Sequence, residues 1–496
     1  HRSGISGAAV AATTLDTMYK QVAPVTMTSY ACSGARAKHL DQCSYQGVAG
    51  DHHTKTADFE KPQIDQLAAN NDIDAVYMNI GGNDLGFGAL LGACLARFPF
   101  LELEECGPGA QVEKDFDAAV KDMVARHKNI ATRLSTLLDP AGVFISVTPN
   151  PMANSKGQPC QTSVDIFKFG FFGVPDQQDV DWLADYILPN VNKVVTDAQK
   201  ANGWTLVDGA LANFVDHSYC GSEPWFNDNP SALKLNGHLY SDALGHTTPD
   251  ACYGETAEDI EAEDNIATLS SGMVHPNAKG FAQGYAPAIV DKLKPRIEDH
   301  IRPTPAANLR VLGQVKSKNI VIGWDDVSST ETEYRVGITV VGESLPDDRT
   351  LAADTTSIDI ALLSSATITV TVQPCYVGPA GSKIAVCGAT KTIKASNVAP
   401  TKEPNNLALS VGPTGLKGAV STLAFTLRDD GHTFADVEIE STAGGVTHLA
   451  ALGSSVTVPI TAKNLAVRSC NLLGCSPPSV KVLGAGCSAK QELDAA

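Results

Sequence analysis

The sequence predicts an α/β domain followed by two all-β sandwiches. Up to about residue 300, short apolar runs alternate with longer amphipathic runs, a pattern typical of a parallel sheet covered by helices on both faces. Beyond that point the apolar residues alternate with period two, and turn-forming residues separate the runs. Proline-containing stretches at 296–308 and 396–406 read as linkers. We therefore expect three domains, at 1–300, 301–397 and 398–496.

One apolar run, which starts at Asp74, ends abruptly in a glycine-rich polar turn, Gly81-Gly82-Asn83-Asp84. A short run bounded by glycines predicts a buried strand that opens into a turn at its carboxyl end. In an open α/β sheet, ligands bind at that end. Asn83 can donate a side-chain N–H to a developing negative charge there, with Gly82 and Asp84 supporting the turn. The alternative is a plain strand-ending turn.

The other elements of the first domain are predicted from apolar period and length. Helical spacing occurs at 4–20, 62–70, 111–138, 176–201 and 277–296. Short runs that predict strands lie at 25–32, 143–148 and 204–208. The longest helical run has one apolar face, formed by Val112, Phe116, Val120, Met123, Ile130, Leu134 and Leu137.

Period-two alternation defines the candidate cores of the two sandwiches. Each block spans about 90–100 residues, which suits a β-sandwich. The first core comprises Ile320, Ile322, Trp324, Tyr334, Val336, Ile338, Val340, Ile368, Val370 and Val372. The second comprises Leu423, Phe425, Leu427, Val456, Val458 and Ile460. The first block resembles a fibronectin type III module in the segment 305–311 and in Tyr334-Arg-Val336. The second block resembles a more divergent module of this kind in the segment 404–407 and in Val467–Ser476.

Net charge and cysteine content limit the possible partners of the protein and indicate its cellular compartment. A net charge of −18 argues against nucleic acid and anionic membrane surfaces as main partners. No apolar run approaches the roughly 18 residues of a spanning helix. Twelve cysteines include three short pairs, and these predict disulfides in a secreted protein. A zinc site is disfavoured because the sequence has no Cys-x-x-Cys, and we expect neither metal nor cofactor. The pairs are Cys94/Cys106, Cys375/Cys387 and Cys470/Cys475.

Three separated segments supply parts of an ester-cleaving site. Gly34, in Ala31-Cys-Ser-Gly-Ala35, can present its backbone N–H without a Cβ in the way. Asn83 offers its side-chain amide. His275 precedes the last helix of the domain, and an imidazole can take and return a proton near neutral pH. Together these residues give two hydrogen-bond donors and a base, but no nucleophile.

With these motifs, residues 1–295 resemble the SGNH (GDSL) hydrolases, in particular secreted actinobacterial esterases and lipases. The resemblance implies a three-layer α/β/α, flavodoxin-like fold and a serine hydrolase that cleaves carboxylic esters. It also implies an oxyanion hole formed by Gly34 and Asn83, with His275 as general base. The further matching segments are His1-Arg-Ser3, Pro62-Gln-Ile-Asp65, Ile80–Gly88 and His217-Ser-Tyr-Cys220 followed by Trp225.

The family's nucleophilic serine has no counterpart in this sequence. That serine lies in a Gly-Asp-Ser motif at the end of the first strand, and the motif is absent here. We expect this strand and its serine upstream of residue 1, because a sheet without its central strand exposes two unpaired edges. The resemblance further implies a disulfide from Cys32 to that segment, together with Cys94–Cys106 and Cys160–Cys220. Cys43–Cys252 is an additional expectation.

The third member of the family's triad also departs from the pattern. The family often has an aspartate three residues before the histidine, whereas this chain has Gly272. A backbone carbonyl would then orient His275 as part of a Ser–His dyad, or Asp264 would reach in from its loop. A carbonyl can fix the tautomer but stabilises the imidazolium less than a carboxylate.

Five aromatic residues cluster after Cys160. They predict either an acyl-binding pocket beside the site or ordinary core packing of an inserted loop. The five are Phe167, Phe169, Phe171, Phe172 and Trp182.

Three functions fit these observations. The first is a secreted serine esterase or lipase acting on lipid esters, with the C-terminal modules as a tether. The second is a carbohydrate O-acetyl esterase acting on an acylated polysaccharide. The third is a binding protein that kept the fold after losing its nucleophile.

Overall fold

The computed structural model divides the chain into two compact units, described separately: the α/β unit (His1–Ile297) and the β unit (Glu298–Ala496). It describes residues 6–32, 34–45, 60–70, 72–86, 90, 94, 106–162, 176–227, 274–312, 319–341, 347–361, 367–380, 384–396, 404–411, 420–426, 434–441, 446–451, 455–459, 462–471 and 474–482.

A three-stranded parallel sheet lies at the centre of the α/β unit. Strands β1 (Val76–Met78), β2 (Val143–Ser146) and β3 (Thr205–Val207) are neighbours in that order. Every residue of β2 is buried, and β2 has a neighbouring strand on each side. All three strands fall where the apolar runs predict them.

Most helices of the α/β unit follow the predicted runs, whereas two short ones, Lys38–Asp41 and Gly209–Asn213, lie where no helix is predicted. The helices are α1 (Gly7–Tyr19), α2 (Lys38–Asp41), α3 (Gln63–Ala68), α4 (Gln111–Leu134), α5 (Gln177–Trp182), α6 (Leu188–Asn202), α7 (Gly209–Asn213) and α8 (Ala286–His300), the last of which ends in the β unit. The predicted apolar face of α4 is confirmed, and a buried histidine extends it. Its buried residues are Val112, Phe116, Met123, His127, Ile130 and Leu134.

The prediction of a strand at 25–32 is wrong. The segment carries no strand assignment, and several of its residues are exposed, including Met27 at 41%. A strand requires a hydrogen-bonded neighbour, and none of the described strands pairs with this segment. Other bonds hold it instead: the Val25 N–H donates to Asp16 Oδ1 at 3.0 Å, and Asn70 donates to the Tyr30 hydroxyl at 2.5 Å.

Two predicted helices contain π-helical turns, at Leu183–Ile187 and Gly280–Tyr285. The first leads into α6 just before Pro189. Proline has no N–H to continue the helical ladder, and its ring displaces the carbonyl of the preceding turn. In the second turn, a Cβ on Gly284 would overlap the ring of Phe214. Glycine is therefore required for this close approach.

The β unit begins with a sandwich of two antiparallel sheets. One sheet has the order β4-β5-β8, and the other has β10-β9-β6-β7 with β11 also paired to β9. All ten predicted core residues lie in or against its core, with Val340 partly buried. The prediction of a sandwich is therefore confirmed. Its strands are β4 (Ala307–Val311), β5 (Asn319–Asp325), β6 (Glu333–Val340), β7 (Asp347–Ala352), β8 (Ser357–Ala361), β9 (Thr367–Val377), β10 (Ala385–Cys387) and β11 (Lys391–Ser396).

The second sandwich repeats this strand order. Its sheets are β12-β13-β16 and β15-β14-β17-β18, with β19 also paired to β17. This repetition is the arrangement expected of two fibronectin type III-like modules. Leu423 and Phe425 are buried as predicted. Leu427, Ile460 and the side chains of Val456 and Val458 lie outside the described part of the chain. The strands are β12 (Asn405–Val411), β13 (Val420–Thr426), β14 (Phe434–Ser441), β15 (Val446–Ala451), β16 (Ser455–Pro459), β17 (Ala462–Asn471), β18 (Gly474–Cys475) and β19 (Ser479–Val482).

The predicted disulfides Cys94–Cys106, Cys160–Cys220, Cys375–Cys387 and Cys470–Cys475 are confirmed. Cys43 is also disulfide-bonded, and Cys252 lies outside the described residues. Cys32 is partly buried, and its link to an upstream cysteine stays a prediction. In the described part of the chain, no helix has both the length and the apolar character needed to cross a membrane.

Candidate active site

Asp84 ties the glycine-rich turn to the segment that follows Gly34. Its Oδ2 accepts a hydrogen bond from the backbone N–H of Ala37 at 2.8 Å, and its side chain is only 3% exposed. Oδ1 lies 3.9 Å from Nε of Arg126 and accepts no hydrogen bond from any described residue. Burial raises the pKa of the Asp84 carboxyl, although the Ala37 bond and Arg126 act in the opposite direction. The carboxylate is therefore held at this position against a desolvation cost.

Replacing Asp84 with asparagine is expected to leave the protein at least as stable as the wild type at neutral pH. Asparagine keeps an oxygen that accepts from Ala37 and removes a charge that burial disfavours. Because the native pKa is raised, the contribution of Asp84 to the wild-type free energy of unfolding is highest below its unfolded-state pKa. It falls as the pH rises through the native pKa, by about 1.4 kcal/mol per unit of raised pKa. Urea unfolding of both proteins across the acidic range measures this difference.

The matched variant for this experiment is Asp84→Ala. It leaves the Ala37 N–H without its acceptor and should lose about 1–3 kcal/mol relative to the asparagine variant. Equal losses in the two variants would contradict a bracing role for the oxygen.

Asn83 lies against the segment that contains Gly34. Its Nδ2 donates to the Ala35 carbonyl at 2.9 Å. Because Nδ2 carries two hydrogens, a second N–H remains for a ligand, and the residue is exposed. Gly34 is also exposed and has a φ of 75°, a conformation that favours glycine. The two predicted oxyanion donors thus belong to segments that are hydrogen-bonded to each other.

Gly81 and Gly82 differ in whether the structure leaves space for a larger side chain. Gly81 has a φ of 118°, and a Cβ there would stand 3.3 Å from the Met123 methyl group. Gly82 is exposed and has open space where a Cβ would point. Packing therefore constrains Gly81 and does not constrain Gly82.

His275 follows a strained residue. Val274 is buried and has a φ of 59°, which is a genuine outlier for a β-branched side chain. Its N–H donates to the Tyr219 hydroxyl at 2.9 Å and to the Asn227 carbonyl at 3.2 Å. The His275 carbonyl in turn accepts from the Asn227 N–H at 2.9 Å, and the residue itself is exposed. Such strain costs about 1–3 kcal/mol and clusters at functional sites.

Tyr285 anchors the helix after His275 to the carboxyl edge of the sheet. Its hydroxyl donates to the carbonyl of Val147, just beyond β2, at 3.2 Å. Asn79, just beyond β1, acts on the pKa of both Tyr285 and Tyr77, in the direction that lowers it. The turn at 81–86 emerges from the same edge. All three predicted segments therefore connect to one edge of the sheet, although the described contacts do not join His275 directly to Asn83.

Burial keeps the two tyrosines of this edge protonated. It raises the pKa of Tyr77 to about 12 and also raises the pKa of Tyr285. Tyr77 donates to the Ser146 hydroxyl at 2.9 Å. The two phenols thus act as fixed donors beneath the site and do not titrate with it.

Trp182 lies within the helical layer of the α/β unit. Its ring is 7% exposed and stacks on Tyr186, with centroids 5.8 Å apart. The Tyr186 hydroxyl donates to Asp117 of α4 at 2.9 Å. These contacts fit the core-packing alternative for Trp182. The other members of the predicted acyl pocket, Phe167, Phe169, Phe171 and Phe172, lie outside the described residues, as do Asp264 and Gly272.

Sequence reasoning missed several residues around the histidine. The residue type at position 274 does not predict the positive φ, because valine does not favour that conformation. The Tyr77–Asn79–Tyr285 group joins parts of the chain that are far apart in sequence. The sequence indicates His217 only as part of the His217-Ser-Tyr-Cys220 segment that matches the family, and does not predict its contacts. Its ring stacks on Trp225 with centroids 3.5 Å apart, and its Nδ1–H donates to the Glu223 carbonyl at 2.8 Å.

No family model matches the chain, and no curated protein matches it. Among solved structures, a two-domain fibronectin type III segment of chicken tenascin is similar to it, with 15% identity and a TM-score of 0.16, over 36% of this chain and 99% of that chain. The FN1–FN3 domains of chicken CNTN1 are similar at 16% identity and a TM-score of 0.17, over 36% and 68% of the two chains. Strand order and buried cores define both sandwiches as fibronectin type III-like.

Proposed function

We propose that the chain is a serine-type carboxylic ester hydrolase with the three-layer, flavodoxin-like SGNH fold in its α/β unit. The observation that carries this proposal is the hydrogen-bonded pairing of the segment containing Gly34 with Asn83. That pairing brings the segment of Gly34 against the turn that follows β1, and the carboxyl edge of a parallel sheet is where ligands bind. The strained residue before His275 supports a functional role for that histidine.

The reaction uses these groups in sequence. A serine Oγ attacks the carbonyl carbon of the ester while His275 accepts the hydroxyl proton. The negative charge that forms on the carbonyl oxygen is stabilised by the N–H of Gly34 and the second N–H of Asn83. His275 then gives the proton to the leaving alkoxide, and an alcohol departs. Water attacks the acyl-enzyme in the same way, which releases the acid and restores the serine.

The serine belongs to a strand that adds to the sheet beside β1. Among the described strands, β1 pairs only with β2. A parallel strand on the other side of β1 would end at the same edge of the sheet as the turn that contains Asn83. We assign the nucleophile to a strand at that position. A backbone carbonyl orients the imidazole, since the position of the family's aspartate is Gly272.

Labelling with a fluorophosphonate tests this function in the full-length protein. One equivalent of label on a serine, together with hydrolysis of p-nitrophenyl esters, is expected. Comparing acetyl with long acyl chains distinguishes an O-acetyl esterase from a lipase. Absence of both labelling and hydrolysis would overturn the proposal and favour a non-catalytic binding protein.

A further inference from the structure

Three carboxylates converge in the first sandwich of the β unit. Asp326 directly follows β5, Glu331 lies two residues before β6, and Asp354 lies between β7 and β8. One carboxylate oxygen from each residue lies within 4.8 Å of the corresponding oxygens of the other two. Three like charges this close repel one another unless a cation lies among them.

Glu331 is the cluster member whose burial requires a physical explanation. The residue is only 7% exposed, and its Oε2 is buried without a hydrogen-bond partner among the described residues. Burial of a carboxylate is unfavourable unless the charge is paired, hydrogen-bonded or bound to a metal. Its nearest carboxylate neighbours increase that cost. A ligand that accepts electron pairs from all three groups would remove both problems.

Two arginines of the same sandwich pair with carboxylates outside the cluster. Arg310 binds Asp325 at 2.6 Å, and Arg335 binds Glu333 at 2.8 Å. No ion pair within the described residues involves a member of the cluster. The charge of the cluster is therefore not neutralised by any arginine or lysine that the structure describes.

Hydrogen bonds orient one ligand in advance. Oδ1 of Asp326 accepts from the Tyr334 hydroxyl at 2.7 Å and from the Ser328 N–H at 3.1 Å. These two hydrogen bonds hold the Asp326 carboxylate in place.

The spacing and chemistry of the donors select the cation. Ca²⁺ binds oxygen ligands at about 2.3–2.6 Å, so two ligands on opposite sides of the ion are up to roughly 5 Å apart. Mg²⁺ binds at about 2.0–2.1 Å and requires a tighter octahedron. Zn²⁺ in structural sites is held mainly by sulfur and nitrogen. Three protein carboxylates whose oxygens all lie within 4.8 Å of one another fit Ca²⁺, whereas Mg²⁺ usually keeps several waters and binds one or two carboxylates.

We propose that Asp326, Glu331 and Asp354 form a Ca²⁺ site in the first sandwich, with Glu331 as the buried ligand. The ion joins the β5–β6 loop to the β7–β8 turn and so stabilises that module. An affinity of about 10⁻⁴–10⁻³ M is expected, as in other extracellular modules.

Luminescence of bound Tb³⁺ tests the site directly in the full chain. Tb³⁺ substitutes for Ca²⁺, and Trp324 and Tyr334 are placed to transfer excitation energy, because Tyr334 bonds to Asp326. We expect sensitised emission that Ca²⁺ displaces at millimolar concentration. The Glu331→Gln variant keeps the shape of the side chain and should lose at least ten-fold in affinity. The matched control is Glu333→Gln, which removes a charge two residues away and should bind as the wild type does.

Calorimetry without Tb³⁺ tests the same site through the melting temperature, including the case in which a variant folds poorly. In the wild type, about 10 mM Ca²⁺ should raise the melting temperature of one transition by several degrees relative to EDTA. Metal-free Glu331→Gln should melt no lower than metal-free wild type and should not respond to Ca²⁺. An absence of any Ca²⁺-dependent shift in the wild type, or an equal shift in Glu331→Gln, would overturn the proposal.

Discussion

Replacing His275 with alanine is expected to abolish nearly all ester hydrolysis, with a fall in kcat of about 10²–10⁴-fold. Without the imidazole, no group accepts the serine proton during attack or returns it to the leaving alcohol. Rates of p-nitrophenyl ester hydrolysis measure the loss. Labelling of the serine by a fluorophosphonate should slow in parallel, because it needs the same activation.

The control for this variant is His300→Ala, which removes another exposed histidine, at the end of α8. It should keep wild-type rates. Since the side chain of His275 is also exposed, both variants should unfold at the wild-type urea concentration. A His275→Ala protein with more than about a tenth of wild-type kcat would exclude this residue as the general base.

Replacing Asn83 with alanine is expected to lower kcat by about 10²–10³-fold while KM changes little. The second N–H of Asn83 contributes mainly when charge develops on the carbonyl oxygen. Substrate binding in the ground state therefore does not depend on it. Steady-state kinetics on a soluble ester separate the two parameters.

Asn83 also holds the Ala35 carbonyl, so a structural loss must be distinguished from a catalytic one. Asn202→Ala is the matched control. The Nδ2 of Asn202 likewise donates to a backbone carbonyl, that of Ala198, at 2.8 Å, and the residue lies before β3, at the amino edge of the sheet. Both variants should lose similar stability, but only the Asn83 variant should lose kcat. Equal kinetics in the two variants would show that Asn83 has no part in the reaction.

Elements with a strong local pattern could be predicted from the sequence. The apolar stripe of α4 determines which face packs, because helical periodicity and burial coincide there. The predicted run extends to residue 138, yet α4 ends at Leu134. A 3₁₀ turn starts at Pro140, and the residue before a proline disfavours helix. Short cysteine spacings likewise predicted three of the disulfides without reference to the rest of the chain.

Features that depend on distant contacts could not be predicted. The segment 25–32 has the composition of a strand, but composition does not supply a neighbouring strand. The positive φ of Val274 is maintained by Tyr219 and Asn227, which lie some fifty residues earlier in the sequence. The carboxylate cluster of the first sandwich joins two loops whose proximity follows only from the strand order.

The candidate site could be predicted in parts. The sequence indicates Gly34, Asn83 and His275 as residues whose chemistry suits acyl transfer. The structure adds the Ala35–Asn83 and Ala37–Asp84 bonds, which fix the first two segments against each other. It also places the anchor of the following helix, Tyr285, at the carboxyl edge of the same sheet.

A crystal structure of the complete protein after reaction with a phosphonate ester is the most direct measurement of this site. We expect the phosphonyl oxygen to accept hydrogen bonds from the Gly34 N–H and from Asn83 Nδ2. The His275 ring should lie about 2.6–3.2 Å from the serine oxygen. An adduct whose oxygen contacts neither donor, or a His275 ring that points away from the serine, would contradict the proposed reaction.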